Sequence, residues 1–297
     1  MQPAALLGLV LASAPAAQAP SVVAVDGVLC DFTRTLVKGA ARVTCLVPPG
    51  ADPHGLALKG SDRQALASAR LVLTNGYNLT PALKRIRVSA PLVAVAERAV
   101  PSRGKGSDPH VWHSPSQASA MVDEASQALQ PVLGSANTAS LQRRRKAMQA
   151  VLGRLGSWSA QQIQTVPQQQ RVLVTPHRAF SAFADRYGIR ELPVVDTFTT
   201  GGLLRPSSLA AIAQAIRSSG SKAIFAEVLP PSKTLRRISA VSGVPLAKSP
   251  LYADGLAPGK TWIETATANV CTFVTAQGGR CDQASANALQ KHWDAIQ

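Results

Sequence analysis

Three of the five histidines in the sequence directly follow a proline. With 21 prolines in 297 residues, chance alone would place about 0.35 histidines behind a proline. Proline fixes its own φ at about −65° and disfavours the helical region for the residue before it, so such a loop holds the next side chain in a narrow range of directions. Neutral imidazole is the commonest metal ligand in proteins. These three loops therefore predict a metal site that includes His54, His110 and His177.

The fourth ligand is harder to assign from spacing. The three histidines lie in loops at the ends of predicted strands, where open α/β sheets place ligand sites, and a closed tetrahedral site needs one more ligand. Asp254 follows the predicted strand Val244–Ala247 and occupies the matching position in the second half of the chain. Asp-Gly is also a common turn dipeptide, so spacing alone leaves both a ligand and a turn residue open.

The ligand types indicate which cation would fit. Three neutral imidazoles and one carboxylate carry a single negative charge, which suits a borderline-soft cation such as Zn²⁺ better than Mg²⁺ or Ca²⁺. Glu227 ends a predicted strand and could either orient a ligand imidazole or cap the turn at Pro230-Pro231. We keep it outside the ligand set. His113 is expected at the rim of the site and His292 on the surface.

Short apolar runs alternate with helical patterns along the chain, which predicts an α/β fold with mainly parallel sheets flanked by helices. The segment 136–164 contains no proline and only two glycines, and it predicts one rigid helix about 40 Å long. We therefore expect an N-terminal metal-binding lobe (20–135), a connecting helix (136–165) and a C-terminal metal-binding lobe (166–297). The predicted strands are Ser21–Val25, Arg42–Val47, Leu71–Thr74, Leu92–Val95, Arg171–Val174, Leu192–Val195, Lys222–Ala226 and Val244–Ala247. The predicted helices are Leu29–Val37, Asp62–Ser68, Ser114–Leu129, Ala136–Gln164, Ala179–Tyr187, Ser207–Ser218, Lys233–Ser242 and Thr261–Ala276.

The first 19 residues predict an export signal peptide, because an uncharged apolar run is followed by small residues ending in Ala17-Gln18-Ala19. In an exported protein, four cysteines favour two disulfides. Three connectivities are possible, of which pairing neighbours is the simplest, and four buried thiols are the alternative. The neighbouring pairs are Cys30 with Cys45 and Cys271 with Cys281.

The net charge of +15 raises the question of nucleic-acid binding. The basic residues are scattered apart from Arg143–Arg145, and aromatic residues make up only 4% of the chain. Such a composition offers no stacking platform for single strands. It indicates a solvated basic surface and no nucleic-acid partner.

Five motifs, in order, resemble those of the periplasmic metal-binding proteins of zinc and manganese ABC transporters. The resemblance covers nearly the whole chain after residue 21. The motifs are Pro48–His54, Asp108–Trp112, His177–Gly188, Ile224–Glu227 and Leu251–Leu256.

This resemblance implies two lobes bridged by a long helix, with one divalent ion held between them by His54, His110, His177 and Asp254. Manganese-selective members tend to have a carboxylate where this chain has His177, so the three-imidazole set looks like the zinc branch. The implied protein is a periplasmic, monomeric substrate-binding protein that delivers Zn²⁺, or alternatively Mn²⁺, to a membrane permease. It is not an enzyme.

Two features depart from the family pattern. Zinc members often carry a long loop rich in histidine and aspartate before the second histidine motif, whereas Pro101–Ser107 is short and contains no histidine. Thr80 stands where the family often has glutamate after its Asn-Gly turn. The short loop gives no support for a secondary metal-gathering site.

A function from another class would be a zinc hydrolase with three histidines and an open water position. Such an enzyme needs a general base at a short fixed spacing, as in His-Glu-x-x-His, and no such motif occurs in the sequence. Capture of a metal ion is therefore the favoured interpretation.

Overall fold

A computed structural model describes residues 18–101, 107–200, 204 and 208–297. Most of the predicted signal peptide therefore lies outside the described residues. The predicted α/β fold with parallel sheets and one long helix is confirmed. The strands are β1 (Ser21–Ala24), β2 (Arg42–Cys45), β3 (Leu71–Thr74), β4 (Leu92–Ala94), β5 (Val172–His177) and β6 (Arg190–Val195). The helices are α1 (Gly27–Val37), α2 (Gly60–Ser68), α3 (Val95–Ala99), α4 (Pro115–Leu133), α5 (Thr138–Gln164), α6 (Ser181–Tyr187), α7 (Leu209–Arg217), α8 (Lys233–Ser242), α9 (Trp262–Ala276) and α10 (Gln283–Asp294).

The first half of the chain forms a four-stranded parallel sheet in the order β2-β1-β3-β4. Every residue of β1 and β3 is buried, because helices cover both faces of the sheet, as parallel sheets require. Val22 belongs to the main core, whereas Val23 packs with Leu66 of α2 on the other face. The alternation of side chains along a strand produces this division.

The strand order predicts a ligand-binding crevice at the carboxyl ends of the strands of this sheet. The chain passes from β1 to β2 on one side and to β3 on the other, so the order reverses between β1 and β3. Open α/β sheets bind ligands outside the carboxyl ends of the strands at such a point. The loop with His54 begins at the carboxyl end of β2, and the segment that leads to His110 begins at the carboxyl end of β4.

The second half of the chain has a smaller parallel sheet than the sequence predicts. Strands β5 and β6 pair in parallel, but the predicted strands Lys222–Ala226 and Val244–Ala247 were wrong in extent. In the structure they contribute single bridges, from Ile224 to Val174 and to Leu246.

The side chain of Gln277 explains why that ladder is short. Its Oε1 accepts the Lys222 N–H at 2.8 Å, and its Nε2 donates to the Val172 carbonyl at 2.6 Å. In the register of the Val174–Ile224 bridge, the Val172 carbonyl faces the segment Lys222–Ala226, so Gln277 occupies an acceptor through which that segment would extend its pairing with β5. Pro245 adds a second interruption, because it has no N–H to donate to a neighbouring strand.

Helix ends follow recognisable capping residues. The Asp26 carboxylate accepts the Leu29 N–H at the start of α1, and Thr261 with Glu264 forms a capping box at the start of α9. Gly243 ends α8 with a φ of 73°, a left-handed conformation that favours glycine.

The long helix is integrated into the core. The predicted long helix is confirmed as α5, which spans Thr138–Gln164, has 27 residues and is about 40 Å long. Its role as a connector, predicted for residues 136–165, stays a prediction. It packs against α4, α1, α9 and α10 and buries residues along most of its length, including Leu141, Leu152 and Ile163. The lobe boundaries at 20–135 and 166–297 stay predictions. Within the described residues, no helix is both long and apolar enough to cross a bilayer.

Helix α10 was not predicted from the sequence. Asp282 caps its first turn by accepting the Ser285 N–H, and Ala286, Leu289 and Trp293 form its buried stripe. Their helical spacing behind a capping aspartate is the signal that could have identified it. The centroid of the Trp293 ring lies 6.0 Å from that of Phe32 in α1, so α10 contacts α1.

Both disulfides that neighbour pairing predicts are present, Cys30–Cys45 and Cys271–Cys281. The first joins α1 to the end of β2, and the second joins α9 to the segment before α10. No free cysteine is found among the described residues.

We expect the double substitution Cys30→Ala/Cys45→Ala to lower the free energy of unfolding by about 3 kcal/mol, because the bridge closes a loop of 15 residues and restricts the unfolded chain. Urea unfolding of the variant and the wild type would measure this. Reducing agent should destabilise the wild type in the same direction. An unchanged stability would mean that the thiols are not paired in the purified protein.

Candidate metal centre

The fold brings together the four residues that were predicted as ligands. One nitrogen from each of His54, His110 and His177 and one oxygen from Asp254 lie within 4.8 Å of one another. His177 is the last residue of β5, and Asp254 lies in the loop between α8 and α9. The side chain of His110 is fully buried, and that of His54 is 4% exposed.

Four of the six separations among these atoms match the edge of a tetrahedral zinc site. The Nε2 atoms of His110, His54 and His177 lie 3.0, 3.2 and 3.4 Å from Asp254 Oδ1, and Nε2 of His54 lies 3.3 Å from that of His110. Zinc bonds to nitrogen and oxygen measure about 2.0–2.1 Å, so the edge of a regular zinc tetrahedron is about 3.3–3.4 Å long. These four separations are close to this edge length.

Two carboxylates fix the orientation of two of these imidazoles. Nδ1 of His110 lies 2.7 Å from Asp108 Oδ1, and Nδ1 of His177 lies 2.9 Å from Glu227 Oε1. A proton on each Nδ1, donated to the carboxylate, leaves the lone pair on Nε2. Both rings therefore present an unprotonated Nε2 to Asp254.

The carboxylate and the ring nitrogens that meet in this cluster favour the binding of a positive charge between them. In the neutral rings, the Nε2 lone pairs of His110 and His177 face the carboxylate oxygen of Asp254, and such acceptors repel one another unless a proton or a metal ion lies between them. Burial alone would lower the pKa of His177, but its contacts with Asp254 and Glu227 outweigh that effect and raise this pKa to about 10. Burial would raise the pKa of Asp254, yet its hydrogen bonds with the three histidines hold that pKa well below its usual value. The same centre can therefore take up a cation.

In each Asp-Pro-His motif the aspartate accepts a hydrogen bond from the histidine N–H, a contact that the sequence alone did not predict. The Asp52 carboxylate accepts the His54 N–H at 2.8 Å, and the Asp108 carboxylate accepts the His110 N–H at 2.9 Å. Each motif is thus closed by an aspartate turn as well as by proline. At the third site the hydroxyl of Thr175 instead donates to the His177 carbonyl at 2.8 Å.

Three other residues that the sequence singled out, Glu227, His113 and His292, lie outside the four-residue cluster. Glu227 orients an imidazole, the first of its two predicted roles. His113 is only partly exposed rather than at an open rim, and its Nε2 contacts the Ala253 carbonyl at 2.8 Å. Burial lowers the pKa of His113 to about 4, so the neutral ring donates this bond and is not part of the four-residue cluster. His292 is exposed, as predicted.

Two further residues next to the cluster were missed. Asp108 belongs to a predicted motif, but its hydrogen bond with His110 Nδ1 was not predicted. Asn75, at the carboxyl end of β3, donates from Nδ2 to the Pro109 carbonyl at 2.9 Å. The Asn-Gly dipeptide indicated a turn, but nothing in the sequence pairs Asn75 with a residue 34 positions later.

The chain is similar to known metal-binding proteins. Residues 22–276 match the ZnuA family model, described as the periplasmic component A of zinc-uptake complexes. The chain is 28% identical over 275 residues to the zinc-binding protein TroA of Treponema pallidum, an alignment that covers 86% of this chain and 88% of TroA. It is 31% identical over 180 residues to the manganese-binding lipoprotein MntA of Bacillus subtilis, with 57% of this chain and 58% of MntA covered.

Solved structures show the same fold. The periplasmic zinc-binding protein TroA of Treponema pallidum matches with a TM-score of 0.80 and 26% identity, covering 88% of this chain and 99% of that structure. Fe(III)-bound YtgA of Chlamydia trachomatis also matches with a TM-score of 0.80, at 23% identity and with coverages of 88% and 99%.

Proposed function

The chain belongs to the ZnuA family of substrate-binding proteins of metal ABC transporters, and on that premise we propose that it captures one Zn²⁺ ion with His54, His110, His177 and Asp254. The ion is the transported substrate, and a membrane permease receives it. Proteins of this family bind solutes for transport and are not enzymes, so the hydrolase alternative is set aside.

The observation that carries this proposal is the convergence of three Nε2 atoms and Asp254 Oδ1, in which each nitrogen lies 3.0–3.4 Å from the oxygen and all four atoms lie within 4.8 Å of one another. Four protein ligands complete a zinc coordination sphere and leave no open position for a reacting water. Such a closed site suits binding and release. A cleft of about 830 Å³ bordered by His177, Glu227 and Asp254 offers a route between the site and solvent.

Ligand chemistry supports zinc over manganese. Imidazole nitrogen suits Zn²⁺, whereas Mn²⁺ prefers carboxylate, carbonyl and water oxygens. The relatives differ in this respect, since TroA is named for zinc and MntA for manganese. Manganese is therefore the second candidate, and the three-nitrogen, one-oxygen set is the reason to place zinc first.

The same proposal covers location and assembly. A periplasmic location, reached through the signal peptide at residues 1–19, suits a protein that collects an ion outside the membrane. All four candidate ligands come from one chain, so a monomer suffices to form the site.

Metal competition tests the proposal directly. Chelator-treated protein is equilibrated with equal concentrations of Zn²⁺ and Mn²⁺, separated from free ions and analysed for metal content. We expect one Zn²⁺ per chain and little Mn²⁺, because the cluster holds a single ion with mainly nitrogen ligands. Preferential binding of Mn²⁺ would favour the manganese alternative, and binding of neither ion would contradict the proposed function.

A further inference from the structure

A backbone turn beside the candidate site adopts an unusual conformation. Gly76, Tyr77 and Asn78 have φ values of 90°, 50° and 58°. Left-handed conformations are uncommon for residues with side chains and are unfavourable for bulky ones. Successive residues in this region persist only where their surroundings enforce the conformation, and such segments cluster at functional sites.

Contacts from α3 and the residue after it enforce this turn. The Glu97 carboxylate accepts the Tyr77 N–H, and the Ala96 N–H donates to the Asn75 carbonyl at 2.9 Å. The Tyr77 hydroxyl donates to the Val100 carbonyl. The turn is therefore attached to α3 on both sides of Gly76.

The residue that the turn orients is Asn75. Its side chain is buried, with 1% of the residue exposed, and its Nδ2 donates to the Pro109 carbonyl at 2.9 Å. Pro109 directly precedes His110, whose own N–H and Nδ1 are both held by Asp108. The loop is thus held on one side of His110 by Asn75 and at the ring by Asp108.

We propose that Asn75 is a positioning residue for His110, and that the turn Gly76–Asn78, clamped by Glu97, holds the Asn75 amide against Pro109. This inference rests on the proposed function, since it gives Asn75 the role of orienting a metal ligand. A donor is required at position 75, because the Pro109 carbonyl can only accept. The bond limits movement of the backbone that carries His110, whose Nε2 must lie at a tetrahedral distance from Asp254 Oδ1.

Substitution of Asn75 tests the direct contact. We expect Asn75→Ala to retain one Zn²⁺ per chain but to lower zinc affinity about 10- to 100-fold, the range found when residues that orient metal ligands are replaced. Asn75→Asp should lower it at least as much, because a carboxylate would face the Pro109 carbonyl without a proton to donate. The matched control is Asn137→Ala, which removes a bond of the same type, from Nδ2 to the Leu133 carbonyl at 2.8 Å, and should leave zinc affinity unchanged.

A second variant tests the turn while keeping Asn75. In Gly76→Ala the new Cβ would lie 2.6 Å from Glu97 Cγ, so the Glu97 side chain must move and release Tyr77. We expect a loss of zinc affinity smaller than that of Asn75→Ala. The absorption spectrum of Co²⁺-substituted protein, which reports ligand geometry, should change in both variants and not in Asn137→Ala.

The outcomes separate this inference from the proposed function. If the wild type binds no zinc in the same titration, the proposed function fails. If the wild type binds zinc and the folded Asn75 variants match it in affinity and Co²⁺ spectrum, Asn75 only stabilises the fold and the inference is overturned. Wild-type affinity in Gly76→Ala would remove the turn from the proposal. Should Asn75→Ala not fold, Asn75→Asp provides the same decision.

Discussion

Replacing Asp254 with alanine is expected to lower zinc affinity by a factor on the order of a hundred or more. Four-ligand zinc sites bind with apparent free energies of about 10–16 kcal/mol. Loss of one quarter of that amount is roughly 3 kcal/mol, which corresponds to about a hundredfold change in affinity. Asp254 also supplies the only negative charge among the four candidate ligands, and all three Nε2 atoms contact its Oδ1.

Isothermal titration of chelator-treated protein with Zn²⁺ would measure this loss, with Asp123→Ala as the matched control. Asp123 is a surface aspartate of α4 that pairs with Arg145, so its removal should leave zinc affinity unchanged. Wild-type affinity in Asp254→Ala would mean that Asp254 is a turn residue, the alternative that its Asp-Gly sequence allowed.

The substitution His177→Glu should lower the preference for Zn²⁺ over Mn²⁺ by about tenfold or more, because it replaces a nitrogen ligand with oxygen. The substitution also introduces a charge repulsion with Glu227. His177 Nδ1 now lies 2.9 Å from Glu227 Oε1, and a glutamate at position 177 would place a second carboxylate beside Glu227. Like charges at that distance repel, so the single variant should bind either ion weakly.

The companion variant His177→Glu/Glu227→Gln should relieve this repulsion, because the glutamine amide can donate to the new carboxylate. We expect the double variant to bind Mn²⁺ more tightly than His177→Glu does, as measured by competition between the two ions. Glu227→Gln alone serves as the control and should keep the preference for zinc. An unchanged zinc preference in both His177 variants would show that position 177 does not select the metal.

Much of the fold could be predicted from local patterns. Buried strands such as Leu71–Thr74 appear as short apolar runs, and the boundaries of α5 and α8 follow from proline, glycine and capping residues. The errors arose where one distant side chain replaced backbone pairing. Gln277 occupies the hydrogen-bonding groups of Lys222 and Val172, and no property of the segment Lys222–Ala226 itself reveals that competitor.

For the candidate site as well, some features followed from the local sequence and others only from the tertiary structure. Residue types and the repeated Pro-His dipeptide determined which histidines to group and which cation they suit, because ligand chemistry and proline stiffness are local properties of the chain. Only the tertiary structure decided that Nε2 is the converging atom of each ring, that Asp108 and Glu227 hold two of the rings, and that Asn75 holds the loop before His110. Most of these contacts join residues that are far apart in sequence and meet at the carboxyl ends of the strands. Their distances depend on how the sheets and helices pack, which no local pattern records.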